Sequence, residues 1–167
     1  THYIETRRDG ASTYSSVLTD LKDGRTLLRT AEYLHGSWMP KTDELYFKRN
    51  TDGGTNLVLL DPVTMSERTL VTRLPEGSLT LSPTAKFAII SREEDGPATD
   101  GPLKQLYAPD DRQPGWRDRS ALYLVDFSNG FSQRLTYGRE SVHLNDISPD
   151  GKRLLLTRNR HDLTRKP

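Results

Sequence analysis

Few residues in this chain are of types that do chemistry. Four histidines, His2, His35, His143 and His161, are scattered, with no two spaced as metal ligands on one helix. No cysteine is present, which excludes thiolate nucleophiles, disulfides and Cys-based zinc sites. Asp95, Asp100, Asp110 and Asp111 could meet calcium, but no Asp-x-Asp-x-Asp-Gly spacing exists. Arg112, Arg117 and Arg119 stand beside them as counter-charges. A hydrolase nucleophile elbow needs Gly-x-Ser-x-Gly, because small residues allow the sharp strand-to-helix turn. The nearest string, Gly10-Ala11-Ser12-Thr13-Tyr14, puts Tyr14 at the second Gly and falls in a hairpin turn. These residues predict no catalytic machinery, no metal and no cofactor.

Binding residues are easier to name. Arg49, Arg92 and Arg158 each follow a proline by nine residues, so they occupy equivalent repeat positions. Such positions fall at equivalent places in each repeat, on one face of the fold, where arginines could steer a peptide carboxylate. The competing reading pairs each with an Asp or a backbone carbonyl of the neighbouring repeat. Trp116 and Arg117 lie in a Pro- and Gly-flanked loop, Gln113-Pro114-Gly115. Long ordered loops often carry function, so Trp116 is expected either to meet a partner or to plug the loop onto the sheet edge. Glu93-Glu94 is the only adjacent glutamate pair.

The elements that position these residues repeat. His143 to Thr157 reads as strand, turn, strand, with Ser148-Pro149-Asp150-Gly151 as the turn. Pro149 sets φ at one turn position and Gly151 supplies the positive φ that closes the hairpin. Leu79 to Ser91 and Trp38 to Arg49 repeat the pattern. Pro40 and Pro83 are 43 residues apart, and so are Asp9-Gly10, Asp52-Gly53 and Asp95-Gly96. A period of about 40–50 residues with several short strands per copy signals propeller blades. The expected fold is all-β, a partial β-propeller of four-stranded antiparallel blades, three to four in number.

The units read as a partial blade over 1–30, a blade over 36–72, a blade over 78–137 and a partial blade over 143–167. In the second unit the strands are expected near 36–39, 44–49, 56–60 and 68–72. In the third they are expected near 78–81, 87–91, 121–125 and 132–136. Asp52 and Asp61 are 9 apart, whereas Asp95 and Asp126 are 31 apart, so the third blade carries 22 extra residues, within 96–118. Strand counts of three, four, four and two cannot close a ring alone, and the chain is expected to be a section of a larger propeller.

The 167 residues carry 24 Lys+Arg against 23 Asp+Glu, a net charge of +1. Without a basic run, nucleic acid is not an expected partner. The longest aliphatic run, Leu57-Val58-Leu59-Leu60, is far too short to span a membrane. Hydrophobic content of 33% suffices because each blade buries only a thin layer against its neighbours.

Asp146-Ile147-Ser148-Pro149-Asp150-Gly151-Lys152 and Gln133-Arg134-Leu135-Thr136-Tyr137-Gly138 resemble the repeat of TolB-like propellers. The insertion string from Asp110 to Arg119, the strands that follow it and the ending from Thr157 to Pro167 go further. From about Ser91 onward the chain looks like the N-terminal propeller of bacterial dipeptidyl-peptidase-IV-like peptidases of the prolyl oligopeptidase class. That resemblance implies a propeller over a separate α/β-hydrolase domain that carries Ser, Asp and His. It implies gating of peptide access, a periplasmic or secreted location and the capacity for a homodimer. Some members place a glutamate pair against the substrate's amino terminus. Glu93-Glu94 lies in the right region but lacks the aromatic context of that motif. The alternative is a TolB-like interaction module of the cell envelope with no hydrolase attached.

Overall fold

The computed structural model describes residues 2–31, 37–96, 102–104, 106, 109, 110, 112, 115 and 118–159. Trp116, Arg117, His35, His161, Asp100 and Asp111 lie outside the described residues. Two compact units divide the chain, Thr1–Leu74 and Pro75–Pro167.

The first unit holds two antiparallel sheets. One is β1 (His2–Arg8), β2 (Tyr14–Asp20) and β3 (Thr26–Thr30), in that order. The other is β4 (Ser37–Trp38), β5 (Leu45–Thr51), β6 (Gly54–Leu60) and β7 (Glu67–Val71). Leu18 from the first sheet packs with Leu45, Phe47, Val58 and Leu60 of the second. The run Leu57 to Leu60 is buried at every residue, so neither face of this part of β6 meets water. That is why it is continuously aliphatic instead of alternating.

The second unit repeats the plan. Its four-stranded sheet is β8 (Ser78–Leu81), β9 (Phe87–Glu94), β10 (Arg119–Asp126) and β11 (Ser132–Arg134). A two-stranded sheet follows, β12 (Ser141–Ile147) and β13 (Leu154–Asn159). Ile89 and Leu122 of one sheet interleave with Val142 and Ile147 of the other. With no helix among the described residues, and strands ordered side by side as they occur in the sequence, the fold is all-β, a partial β-propeller.

Two turns recur with the blades. In one, Met39, Ser82 and Ser148 donate their N–H to the carbonyls of Glu44, Phe87 and Arg153, at 2.8, 2.9 and 2.9 Å. Gly151 takes the left-handed conformation, φ 71°, and Ala85 does so at φ 58°. In the third copy that role moves one residue earlier, to Lys41, φ 63°. In the other turn, Asp20, Asp61 and Asp126 accept from the N–H two residues on through Oδ1, at 2.9, 2.8 and 2.8 Å. Those bonds, with side-chain hydroxyls at Asp61 and Asp126, hold all three carboxyls below the ordinary aspartate range.

Strand ends differ from the sequence expectation where side chains beyond the apolar run extend the ladder. β9 continues past Ser91 to Glu94 and β10 begins at Arg119, with Arg92 opposite Ala121, Glu93 opposite Ser120 and Glu94 opposite Arg119. β11 stops at Arg134; Leu135 still donates its N–H to Leu122 O at 2.8 Å.

Replacing Leu122, fully buried between the two sheets, by alanine is expected to cost about 2–5 kcal/mol in urea unfolding, the range for a buried leucine cavity. Ala85→Gly is expected to stabilise by about 1 kcal/mol, by relieving the left-handed Cβ. Gly151→Ala is expected to destabilise, since its Cβ would sit 3.0 Å from Thr84 Cγ2 and 3.3 Å from Phe87 Cε1.

Candidate functional site

The extended β9–β10 stem gathers the charged residues of the candidate site. Side chains alternate along a strand, so Ile90, Arg92 and Glu94 share one face of the sheet. The register adds Arg119, Ala121 and Tyr123 from β10 to that face, and Arg134 from β11. Together with Glu76, Gly77, Glu93 and Asp95, the polar members of this set line an open cleft of about 630 Å3. Gly77 is required there: at φ +133° a side-chain carbon would strike the Ser91 carbonyl.

Glu94 is the hub. Its Oε1 accepts from the Tyr123 hydroxyl at 2.7 Å. Its Oε2 accepts from Arg134 Nη2 at 2.9 Å and lies 3.4 Å from Arg119 Nε. Arg134 also donates through Nε to Thr136 O at 2.7 Å, and its guanidinium stacks 5.3 Å from the Tyr137 ring centroid. Arg119 donates through Nη1 to Gly138 O at 2.7 Å. Partial burial pushes the Glu94 carboxyl up, but the Tyr123 bond and the charges of Arg134 and Arg119 outweigh it and leave it below the ordinary glutamate range. The same bond to Glu94, with burial, raises the Tyr123 phenol.

The glutamate pair therefore divides its roles. Glu94 accepts two hydrogen bonds and pairs with the charge of Arg119, whereas Glu93 faces the other side of the strand, at the rim of the cleft, and is exposed. The three repeat arginines divide as well. Arg49 makes a two-point pair with Glu67, 2.6 and 3.1 Å, and lies 5.1 Å from the Phe47 ring centroid. Arg158 lies 3.5 Å from Glu140. Both partners are glutamates, and Glu67 belongs to the same sheet as Arg49. Arg92 is exposed at the cleft.

Tyr123, Arg134, Arg119 and Glu76 were not legible as site residues. Tyr123 and Arg134 read as blade-strand positions, and Arg119 read as loop charge. The 22-residue insertion removes the tight turn that would have fixed the β9–β10 register. Among the described residues, no group of three or more His, Cys, Asp or Glu is placed to hold a metal ion. His143 is paired with Asn159, Nε2 to Nδ2 3.2 Å, inside the fourth sheet. No helix among the described residues is long and apolar enough to cross a membrane.

Fold and cleft together describe a propeller section with a charged open cleft. No protein-family model matches the chain, and no curated protein matches it in sequence. Solved structures do match in shape. TolB from Acinetobacter baumannii superposes with a TM-score of 0.54 at 18% identity, over 96% of this chain and 37% of that one. Uncomplexed acylaminoacyl peptidase from Pyrococcus horikoshii gives 0.57 at 12%, over 93% and 25%. Acylaminoacyl peptidase bound to Z-Gly-Gly-Phe-chloromethyl ketone gives 0.55 at 12%, over 98% and 31%. At such identities the shared property is the fold, that of a TolB-like propeller. The chain spans between 25% and 37% of these three proteins.

The lowered Glu94 value makes the cleft acid-sensitive. Unfolded glutamate titrates near about 4.3, so the hub's stabilisation is complete above that pH and is lost as pH falls through the lower folded value. Melting curves against pH should fall less steeply in acid for Glu94→Gln than for the wild type, with a lower Tm at pH 7. Tyr123→Phe should cost about 1 kcal/mol, the scale of one hydrogen bond.

Proposed function

We propose that this chain is the propeller section of a serine peptidase of the dipeptidyl-peptidase-IV-like class. It performs no chemistry itself. It restricts peptide access to a separate α/β-hydrolase domain of the same protein and scaffolds that domain, in the periplasm or outside the cell. The observation that carries this reading is the interrupted third blade. The insertion string that resembles those peptidases leaves the sheet at Glu94 and returns at Arg119, at the rim of the charged cleft. The fold shared with two peptidase structures supports it.

On this reading Arg92, on the cleft face, offers a guanidinium to one end of a peptide, Glu93 offers a carboxylate from the rim, and Glu94 ties the strands together beside Arg92. Trp116 and Arg117 supply further contacts from the insertion. Arg49 and Arg158, each held by a glutamate, contribute charge to the blades' ends. The second reading is a TolB-like interaction module of the cell envelope, favoured by a superposition on TolB that covers 96% of this chain.

The isolated chain should hydrolyse no peptide; turnover abolished by a serine-directed covalent inhibitor would overturn the assignment. The mass and sequence of the complete gene product separate the two readings. A much longer product with a downstream Gly-x-Ser-x-Gly elbow supports the peptidase, and its absence supports the module. In such a peptidase, Glu93→Gln should lower kcat/KM for peptides with a free amino terminus by about 10-fold or more, the worth of one charged hydrogen bond, and leave amino-blocked peptides unchanged.

A further inference from the structure

The third sheet repeats the second with its charges rearranged. Arg92 stands nine residues after Pro83, as Arg49 stands nine after Pro40. In the second sheet that arginine is held by Glu67, which lies opposite Leu60 in the ladder. The equivalent pair in the third sheet is Val125 with Ser132, so a serine stands where the counter-ion of Arg49 stood. Two residues on, Thr69 opposite Val58 gives way to Arg134 opposite Tyr123. The face that carried one arginine and one glutamate now carries Arg92, Arg119 and Arg134 with Glu94 as its one carboxylate, among the described residues. Glu94 is shared by Arg134 and Arg119, and one carboxylate does not balance three guanidiniums. Small residues keep the space beside Arg92 open. Ala121 lies opposite it, and at Gly77 the left-handed φ and the Ser91 carbonyl exclude a side chain.

We propose that the Arg92 face of the cleft binds a peptide's carboxylate, either an acidic side chain or a free C terminus, and turns phosphate away. Arg92 is the principal donor, and Arg134 and Arg119 add their charge beside it. A guanidinium fork matches the two oxygens of a carboxylate. The exposed carboxylates Glu76, Glu93 and Asp95, which line the same cleft, oppose a second negative charge on the ligand. A singly charged carboxylate therefore fits where a dianion does not. The inference rests on the peptide reading of this cleft and deepens it, by naming the charge that a bound peptide carries. It does not require a hydrolase domain.

The test is equilibrium binding to the full-length gene product by calorimetry, after treatment with a small serine-directed sulfonyl fluoride so that no probe is consumed. The probes all have a free amino terminus: Ala-Ala-Asp-Ala-amide, Ala-Ala-Ala-Ala with a free C terminus, the neutral Ala-Ala-Ala-Ala-amide, and Ala-Ala-phosphoserine-Ala-amide. At least one of the two carboxylate peptides should bind about 10-fold or more tightly than the neutral amide, the worth of one charged hydrogen bond. The one that does identifies the carboxylate that is read. The phosphoserine peptide should bind no more tightly than the aspartate peptide. Arg92→Gln, at an exposed position, should remove the gain and leave the Kd of the neutral amide unchanged. Arg92→Lys should retain part of the gain, because it keeps the charge and loses the fork. Equal Kd for the carboxylate and neutral peptides overturns the proposal and leaves the peptide reading standing. A gain that survives Arg92→Gln, or tighter binding of the phosphoserine peptide, does the same. Binding of none of the probes overturns the peptide reading along with the proposal.

Discussion

Ile89 and Leu122 are wholly shielded from water because a second sheet lies across them. Face-to-face packing of thin aliphatic layers is the constraint from which the rest follows. A sheet that is apolar on one face must bury that face against another element. Pressed against a neighbour, it buries a contiguous layer at about 25 cal/mol for each Å2 removed from water. A chain with 33% hydrophobic residues can therefore hold order, provided that its aliphatic residues sit at the few positions where sheets meet. Leu57 to Leu60 and Ala88 to Ile90 are such positions.

Packing of this kind demands that each strand arrive in register, and the turns supply that. The aspartates at 20, 61 and 126 each bind the backbone two residues ahead, on exposed turns where the carboxylate keeps its charge. The serines at 82 and 148 hold the other turn through their hydroxyls. Ala85 and Lys41 show that the repeat tolerates strain: the left-handed position persists even where glycine has been lost. Sheet packing overrides local preference there.

The cleft grows from the same scaffold. Extending the β9–β10 ladder beyond the apolar layer carries Arg92, Glu94 and Arg119 out of the core while keeping their facing fixed. Glu94 then ties β9 to β10 and β11 through Tyr123, Arg119 and Arg134. A charged network at the root of the insertion stiffens the point where the chain leaves the sheet. It also leaves Glu93 and Arg92 free of Glu94's bonds. The cost is acid sensitivity, since the hub works only while Glu94 is ionised.

The sequence alone determined the fold class, because period, turn chemistry and aliphatic runs are local properties. Two markers 43 residues apart and a repeated Pro-anchored hairpin are enough for a propeller. It also named Glu93, Glu94, Trp116, Arg117, Arg49, Arg92 and Arg158 as contact candidates, and Arg92, Glu93 and Glu94 among them line the cleft. Their division of labour was decided only in three dimensions. Whether a glutamate is free or tied depends on which residue stands opposite, and the 22-residue insertion hides that register from any local pattern. Tyr123 and Arg134, 11 residues apart in sequence, meet because β10 and β11 pair. Arg49 and Arg158 looked equivalent to Arg92 by spacing, yet Arg49 pairs with Glu67 and Arg158 with Glu140, whereas Arg92 lies at the cleft. Spacing reports position along a strand; the choice of partner belongs to the neighbouring strands, which only the folded chain brings together.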